Sequence, residues 1–320
     1  YPPERLRKAE QALCTGAHLG CRLWFASGVP SPEQAPTPEA KHLAEQAQLQ
    51  ADRNRAYYAK NRALHRSVVL RLTEQIRNCI LVHQQPNARI ARSGALDPER
   101  VWRAPLLNDS RVFRCAEEEN QPSFTVDLLL DASASRLHCQ EVIAAQGTIL
   151  AQSLTACGIP VRVSSFCSLR GYTVLRVLKG FADKSLQGID QYFASGWNRD
   201  GLALRAAGDL VSFDPGPAPR HLLILLTDAS PNDSRRVPSS PEQPLGCDYG
   251  GSYGVDDAAA EVRTLRRKGL RVSAVFMGED SSSHDAERIY GKNLARIRGM
   301  DQLARAAGRL IQNEIRELGD

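Results

Sequence analysis

From residue 121 onward, short runs that are apolar at nearly every position alternate with longer runs in which apolar residues recur every three or four. The first kind, "SFTVDLLLD", "PVRVSSFCS", "TVLRVLKGF", "RHLLILLTD" and "LRVSAVFMG", predicts strands buried on both faces. The second kind, "SRLHCQEVIAAQGTILAQSLTACG", "DGLALRAAGDLV", "VDDAAAEVRTLRRKG" and "DQLARAAGRLIQNEIREL", predicts helices, the first ended by Gly158. Buried strands separated by helices imply a doubly wound, mainly parallel α/β sheet flanked by helices, a Rossmann-like arrangement. In such sheets ligands bind beyond the carboxyl ends of the strands.

Upstream, the pattern is helical. "GVPSPEQAPTPEA", residues 28–40, is rich in Pro and small polar residues and reads as a linker or loop. Residues 41–85 lack Gly and Pro and are dense in Ala, Leu, Gln and Arg, predicting one long helix or a broken pair. Apolar positions thicken toward Val68, Leu70, Leu72, Ile76 and Ile80, so the later part is expected to pack on a body while the earlier part projects. In "RSGALDPERVWRA", Asp97 is the expected N-cap of a short helix that begins at Pro98. The chain thus divides into an α-helical N-terminal extension, 1–120, and an α/β domain, 121–320.

Composition narrows the class. At 42% hydrophobic and 24% charged residues the chain is globular, and no apolar run is long enough to span a bilayer. The start, "YPPERLRKAE", has neither Met nor an apolar signal region, so the expectation is a cytoplasmic protein given as part of a longer chain. The net charge of +5 lies entirely in residues 1–120, with 18 Lys and Arg against 13 Asp and Glu; residues 121–320 hold 23 of each. Spread along a helical pattern, that excess reads as a solvated face, and nucleic acid is not an expected partner.

Eight cysteines occur without CxxC pairs, several inside apolar runs, as in reduced and packed thiols. "CTGAHLGC" gathers Cys14, His18 and Cys21; with no fourth ligand nearby, packing or capping competes with metal binding there.

Candidate chemistry sits where strands end. Asp131 closes "SFTVDLLLD", and Asp228 closes "LLILLTD". If those strands are neighbours, both carboxylates reach one rim. Ser133 and Ser135 leave the first strand in the turn that follows. Carboxylates and hydroxyls are hard oxygen donors, suited to Mg2+ or Mn2+. Ser135 can equally be a helix cap and the two Asp solvated turn residues. A haloacid-dehalogenase phosphatase would carry an Asp two residues after Asp131, where Ser133 stands. Gly-x-Ser-x-Gly after a strand, a phosphate loop and a Gly-x-Gly-x-x-Gly turn are all missing, so an enzyme is not expected. The competing enzymatic reading is a metal-assisted phosphoryl hydrolase using Asp131.

"DLLLDASAS", followed about ninety residues later by "LLILLTD", resembles the metal-ion-dependent adhesion site of von Willebrand factor A (VWA) domains, over roughly residues 121–320. In most such domains a loop Thr completes the site; the matching region here, "GWNRDGLALR", has none. "Asn-x-Asp-Gly" opening a helix, "LTDASPND", "YGVDDAAAEVRTLRRKG", "CTGAHLGC" and "SGALDPERVWR" resemble a bacterial subgroup: the VWA subunit of aerobic cobaltochelatase and the nitric-oxide-reductase activation protein. The resemblance implies a metal set of Asp131, Ser133, Ser135, Asp228 and Asp200, with Asn198 the alternative at the Thr position. It also implies a MoxR-type AAA+ ATPase partner and a client metalloenzyme. Trp197, Asn198, Ser230 and Asn232 are the residues expected to meet a partner, beside a long loop at 229–254.

Overall fold

The structure, a computed structural model, describes residues 1–28, 31–83, 88–116, 124–239 and 244–319. In chain order its elements are α1 (Pro3–Leu13), β1 (Arg22–Ser27), α2 (Pro38–Lys60), α3 (Arg62–His83), β2 (Ala88–Ala91), β3 (Ala95–Leu96), α4 (Arg103–Leu107) and β4 (Phe113–Ala116). Then come β5 (Phe124–Asp131), α5 (Gln140–Ala156), β6 (Val161–Leu169), β7 (Tyr172–Lys179), α6 (Asp200–Phe213), β8 (Arg220–Thr227), β9 (Asp233–Val237) and β10 (Cys247–Tyr249). The chain closes with α7 (Gly251–Arg267), β11 (Arg271–Phe276), α8 (Ser283–Tyr290), β12 (Leu294–Arg296) and α9 (Met300–Gly319).

The main sheet has seven strands in the order β1-β7-β6-β5-β8-β11-β12. All neighbours are parallel except β6 and β7, which form a hairpin turned at Arg170 and Gly171, both with positive φ. Helices α3, α5 and α9 cover one face, where Leu72, Ile76, Ile149, Leu150 and Leu303 meet Leu128, Leu130, Ile224 and Leu226. Helices α6, α7 and α8 cover the other, around Leu129, Phe166, Leu223, Leu225 and Phe276. Because β5 and β8 are buried on both faces, their side chains are apolar at odd and even positions alike, as the sequence shows.

The chain winds away from β5 toward β6 on one side and from β8 toward β11 on the other. The order therefore reverses between β5 and β8, which opens a crevice at their carboxyl ends. The expectation that these two strands are neighbours holds, with Val126 opposite Leu222 and Leu130 opposite Leu226.

The N-terminal extension is mainly helical but does not stand apart. Strand β1 adds to the sheet edge beside β7, with Leu23 opposite Thr173, and β2, β4 and β3 form a small sheet of their own. The helix expected at 41–85 is a broken pair, parted at Asn61. Contrary to the expected projecting arm, α2 is docked: Ala44, Ala47 and Ala51 are buried, and Asn54 Nδ2 donates to the carbonyls of Asp190 and Tyr192 at 2.8 and 2.9 Å. Small side chains allow that close approach, which a count of large apolar residues misses. Asp97 accepts from the Glu99 amide at 3.2 Å, yet the helix beyond it starts only at Arg103. The segment expected as one long loop, 229–254, contains the β9–β10 pair.

Candidate metal and partner-docking site

Asp131 is the last residue of β5 and is fully buried. Its Oδ1 accepts the Ser133 amide at 2.9 Å, and its Oδ2 faces the Thr227 hydroxyl at 3.4 Å. Ser133 Oγ and Ser135 Oγ lie 2.9 Å apart, and Ser135 Oγ donates to Asp228 Oδ2 at 2.8 Å. Ser133 precedes a 3-10 turn, Ala134–Cys139, and neither hydroxyl caps it; Ser135 is thus turned into the crevice rather than back along the helix. Asp228 follows β8, and its Oδ1 accepts the Ser230 amide at 3.2 Å. Behind it Ala229 adopts a positive φ of 53°, held by its amide on Thr227 Oγ1 at 2.9 Å.

Asp200 opens α6 and is buried. Its Oδ1 accepts from Asn198 Nδ2 at 3.1 Å; among the described residues its Oδ2 has no hydrogen-bond partner. A buried carboxylate oxygen without a donor is costly unless a cation completes it. Asn198 is spent within the protein: Nδ2 also donates to the Ser230 carbonyl at 3.1 Å, and Oδ1 accepts the Asn232 amide at 3.3 Å. Of Asn198 and Asp200, Asp200 is the one with an unpartnered side-chain oxygen among the described residues, and Asn198 holds its other oxygen. Asn198 is buried and so is not placed to touch a partner; Trp197, Ser230 and Asn232 are exposed around the crevice.

Electrostatics agree. Burial, reinforced by the charge of Asp228, raises the Asp131 carboxyl to about 7. Asp200 is pushed well up by burial, then by the charges of Asp131 and Asp228. Against these three carboxylates stands one buried guanidinium, Arg136, whose Nη2 donates to Asp228 Oδ2 and whose Nε lies 3.3 Å from Ser135 Oγ. With every group ionised the local sum is −2, the charge a divalent cation neutralises. The donors are all oxygen, which fits Mg2+ or Mn2+. The three carboxylates do not form a ready-made cage: among the described residues no three His, Cys, Asp or Glu side chains converge as one. The fit therefore depends on the hydroxyls of Ser133 and Ser135 as inner donors. Asp228, already paired with Arg136, is suited to reach an ion through water.

No family model matches the chain, and no curated protein matches it. Among solved structures it is similar to the pilus adhesin SpaC from Lactobacillus rhamnosus GG, at 14% identity and a TM-score of 0.42 over 63% of this chain and 31% of that one. It is similar to manganese-loaded Plasmodium vivax TRAP protein, at 14% identity and a TM-score of 0.42 over 61% of this chain and 75% of that one. A third likeness is to proximal thread matrix protein 1 from the mussel byssus with a zinc-occupied MIDAS motif, at 15% identity and a TM-score of 0.41 over 60% of this chain and 46% of that one. The chain spans less than half the length of the adhesin and of the byssus protein. Likenesses this distant transfer no residue roles, and the site rests on its own geometry.

Two parts of the site carried no sequence signal. One is Arg136, an ordinary surface residue type in a turn. The other lies behind Asn198: Arg199 is fully buried, with Nε on His18 Nδ1 at 3.0 Å, Nη1 on Asp233 Oδ2 and the Arg235 carbonyl, both at 2.8 Å, and its guanidinium 4.1 Å from the Tyr249 ring centroid. Asp233 is thus half of a buried ion pair. His18, pushed down to about 2 by burial and then by Arg205 and Arg199, accepts as neutral imidazole. Its Nδ1 is consumed, so "CTGAHLGC" serves as a plug that ties the N-terminal segment to the loop before Asp200. Burial also raises both neighbouring thiols, Cys14 to about 11, which disfavours thiolate ligation.

Proposed function

We propose that the chain is a nonenzymatic VWA-type module that docks a protein partner through a divalent ion, Mg2+ or Mn2+, held at the β5–β8 crevice. The observation that carries this reading is the orphaned, buried Oδ2 of Asp200 beside Asp131 and two inward-turned hydroxyls, at a net charge that one dication cancels. Ser133 and Ser135 bind directly, Asp131 and Asp228 directly or through water, and Asp200 completes the set. Three carboxylates hold the ion with less need for an acidic residue from the partner, so recognition falls to the exposed rim, Trp197, Ser230 and Asn232. Following the resemblance in its motifs, the partner is a MoxR-type AAA+ ATPase in the cytoplasm, whose hydrolysis the module couples to metal insertion into, or activation of, a client metalloenzyme. Full burial of Asp131 supports the nonenzymatic reading, because a phosphoryl-accepting carboxylate must reach its substrate.

Affinity capture from the native cell tests it, comparing wild type and Asp131→Asn with Mg2+ plus ATP, or with chelator. An AAA+ ATPase held by wild type with Mg2+ and released by chelator supports the reading. Equal capture by both proteins with Mg2+, or capture by wild type that persists in chelator, refutes it.

A further inference from the structure

Strand β12 ends the main sheet, and no strand among the described residues pairs with its outer side. The Ala274 amide donates to the Asn293 carbonyl at 2.9 Å, and the Ile297 amide donates to the Phe276 carbonyl at 3.0 Å. Asn293 and Ile297 therefore face β11, and the period of two along a strand turns the backbone groups of Leu294 and Arg296 outward. Those groups find no backbone partner among the described residues.

Beside this open edge, between β12 and α9, runs a groove of about 400 Å3. Ala295, Ala306 and Leu310 contribute to its apolar floor, and Lys292, Arg296, Arg305 and Arg309 stand along it, with no carboxylate among its lining residues. Arg305 and Arg309 are one helical turn apart on α9, exposed, and in no ion pair among the described residues. Lys292 and Arg296 each have a carboxylate, Glu317 and Asp280, outside the groove. Charges on an edge strand also serve to repel other strands. An apolar floor does not serve that purpose, and two cations without an acid, Arg305 and Arg309, in a groove lined by no carboxylate, select an anionic occupant.

We propose that this groove takes an extended acidic segment of a partner protein, added as a strand to the outer edge of β12. Its carboxylates meet Arg305 and Arg309 on the α9 side of the sheet, and its alternate apolar side chains fall on the other side, beside Leu294. The site is separate from the β5–β8 crevice and does not require its metal.

A fluorescein-labelled peptide of alternating Glu and Leu, titrated with the whole chain in EDTA and read by anisotropy, is the probe. Its binding is expected to weaken roughly tenfold or more with Arg305→Glu plus Arg309→Glu, and to the same degree when alternate peptide amides are N-methylated. Asp131→Asn leaves it unchanged, which separates this surface from the metal site. Circular dichroism checks the fold, and the paired Gln substitutions replace the Glu ones if those misfold. Equal binding by the charge-reversed protein, equal binding of the N-methylated peptide, or tighter binding of a single-stranded oligonucleotide of the same charge would overturn the proposal.

Discussion

Replacing Asp131 by Asn should stabilise the metal-free protein, and should do so in a pH-dependent way. The carboxyl is fully buried, and its folded-state value of about 7 lies above the 3.8 of an unhindered Asp. A raised folded value means that the native state keeps a proton the unfolded chain releases, so stability falls as pH rises from about 4 to about 7. Once pH exceeds the higher value, the cost is on the order of 4 kcal/mol. Asn is neutral at every pH and can still accept the Ser133 amide through its carbonyl oxygen. Between pH 5 and pH 8, the advantage of the variant over wild type should therefore grow by about 3 kcal/mol, measured by urea unfolding in EDTA. Mg2+ should offset most of that advantage: at a hundredfold excess over its dissociation constant, ligand linkage adds about 2.7 kcal/mol to a protein that binds it. An advantage independent of pH, or equal stabilisation of both proteins by Mg2+, would refute the reasoning.

Arg136→Gln removes the internal cation from Asp228, and isothermal titration should show Mg2+ affinity rising by roughly tenfold, the effect of relieving about 1.4 kcal/mol of short-range repulsion. Asp200→Asn should lower that affinity by a similar factor; an unchanged value would remove Asp200 from the site. Arg199→Met leaves Asp233 buried without its partner and should cost about 3–5 kcal/mol in chemical denaturation, with loosening of the N-terminal segment in hydrogen exchange. Gly201→Ala would set a methyl carbon 2.0 Å from Asp257 Oδ2, breaking the Tyr249 contact on the Gly201 amide, and a loss of about 2 kcal/mol or more should appear as a lower Tm.

Much of this molecule is written locally. Each all-apolar run from Phe124 to Phe276 is a central strand because a strand covered on both faces must be apolar at odd and even positions alike. Asp131, Ser133, Ser135 and Asp228 were legible because they stand where buried strands end, and strand ends in such sheets lie at one rim. Edge elements carry a weaker pattern. Strand β1 alternates only partly, β12 has three residues, and α2 docks through alanines, so their places depend on what they pack against. Whether Asn198 or Asp200 faces the crevice turned on partners 32 and 34 residues away, Ser230 and Asn232. Arg136 and Arg199 look like surface residues in the chain and are buried only because Asp228 and Asp233 arrive from distant segments to meet them. Periodicity along a chain reports which residues leave water; only the folded sheet, by bringing remote segments together, decided which charges they meet when they do.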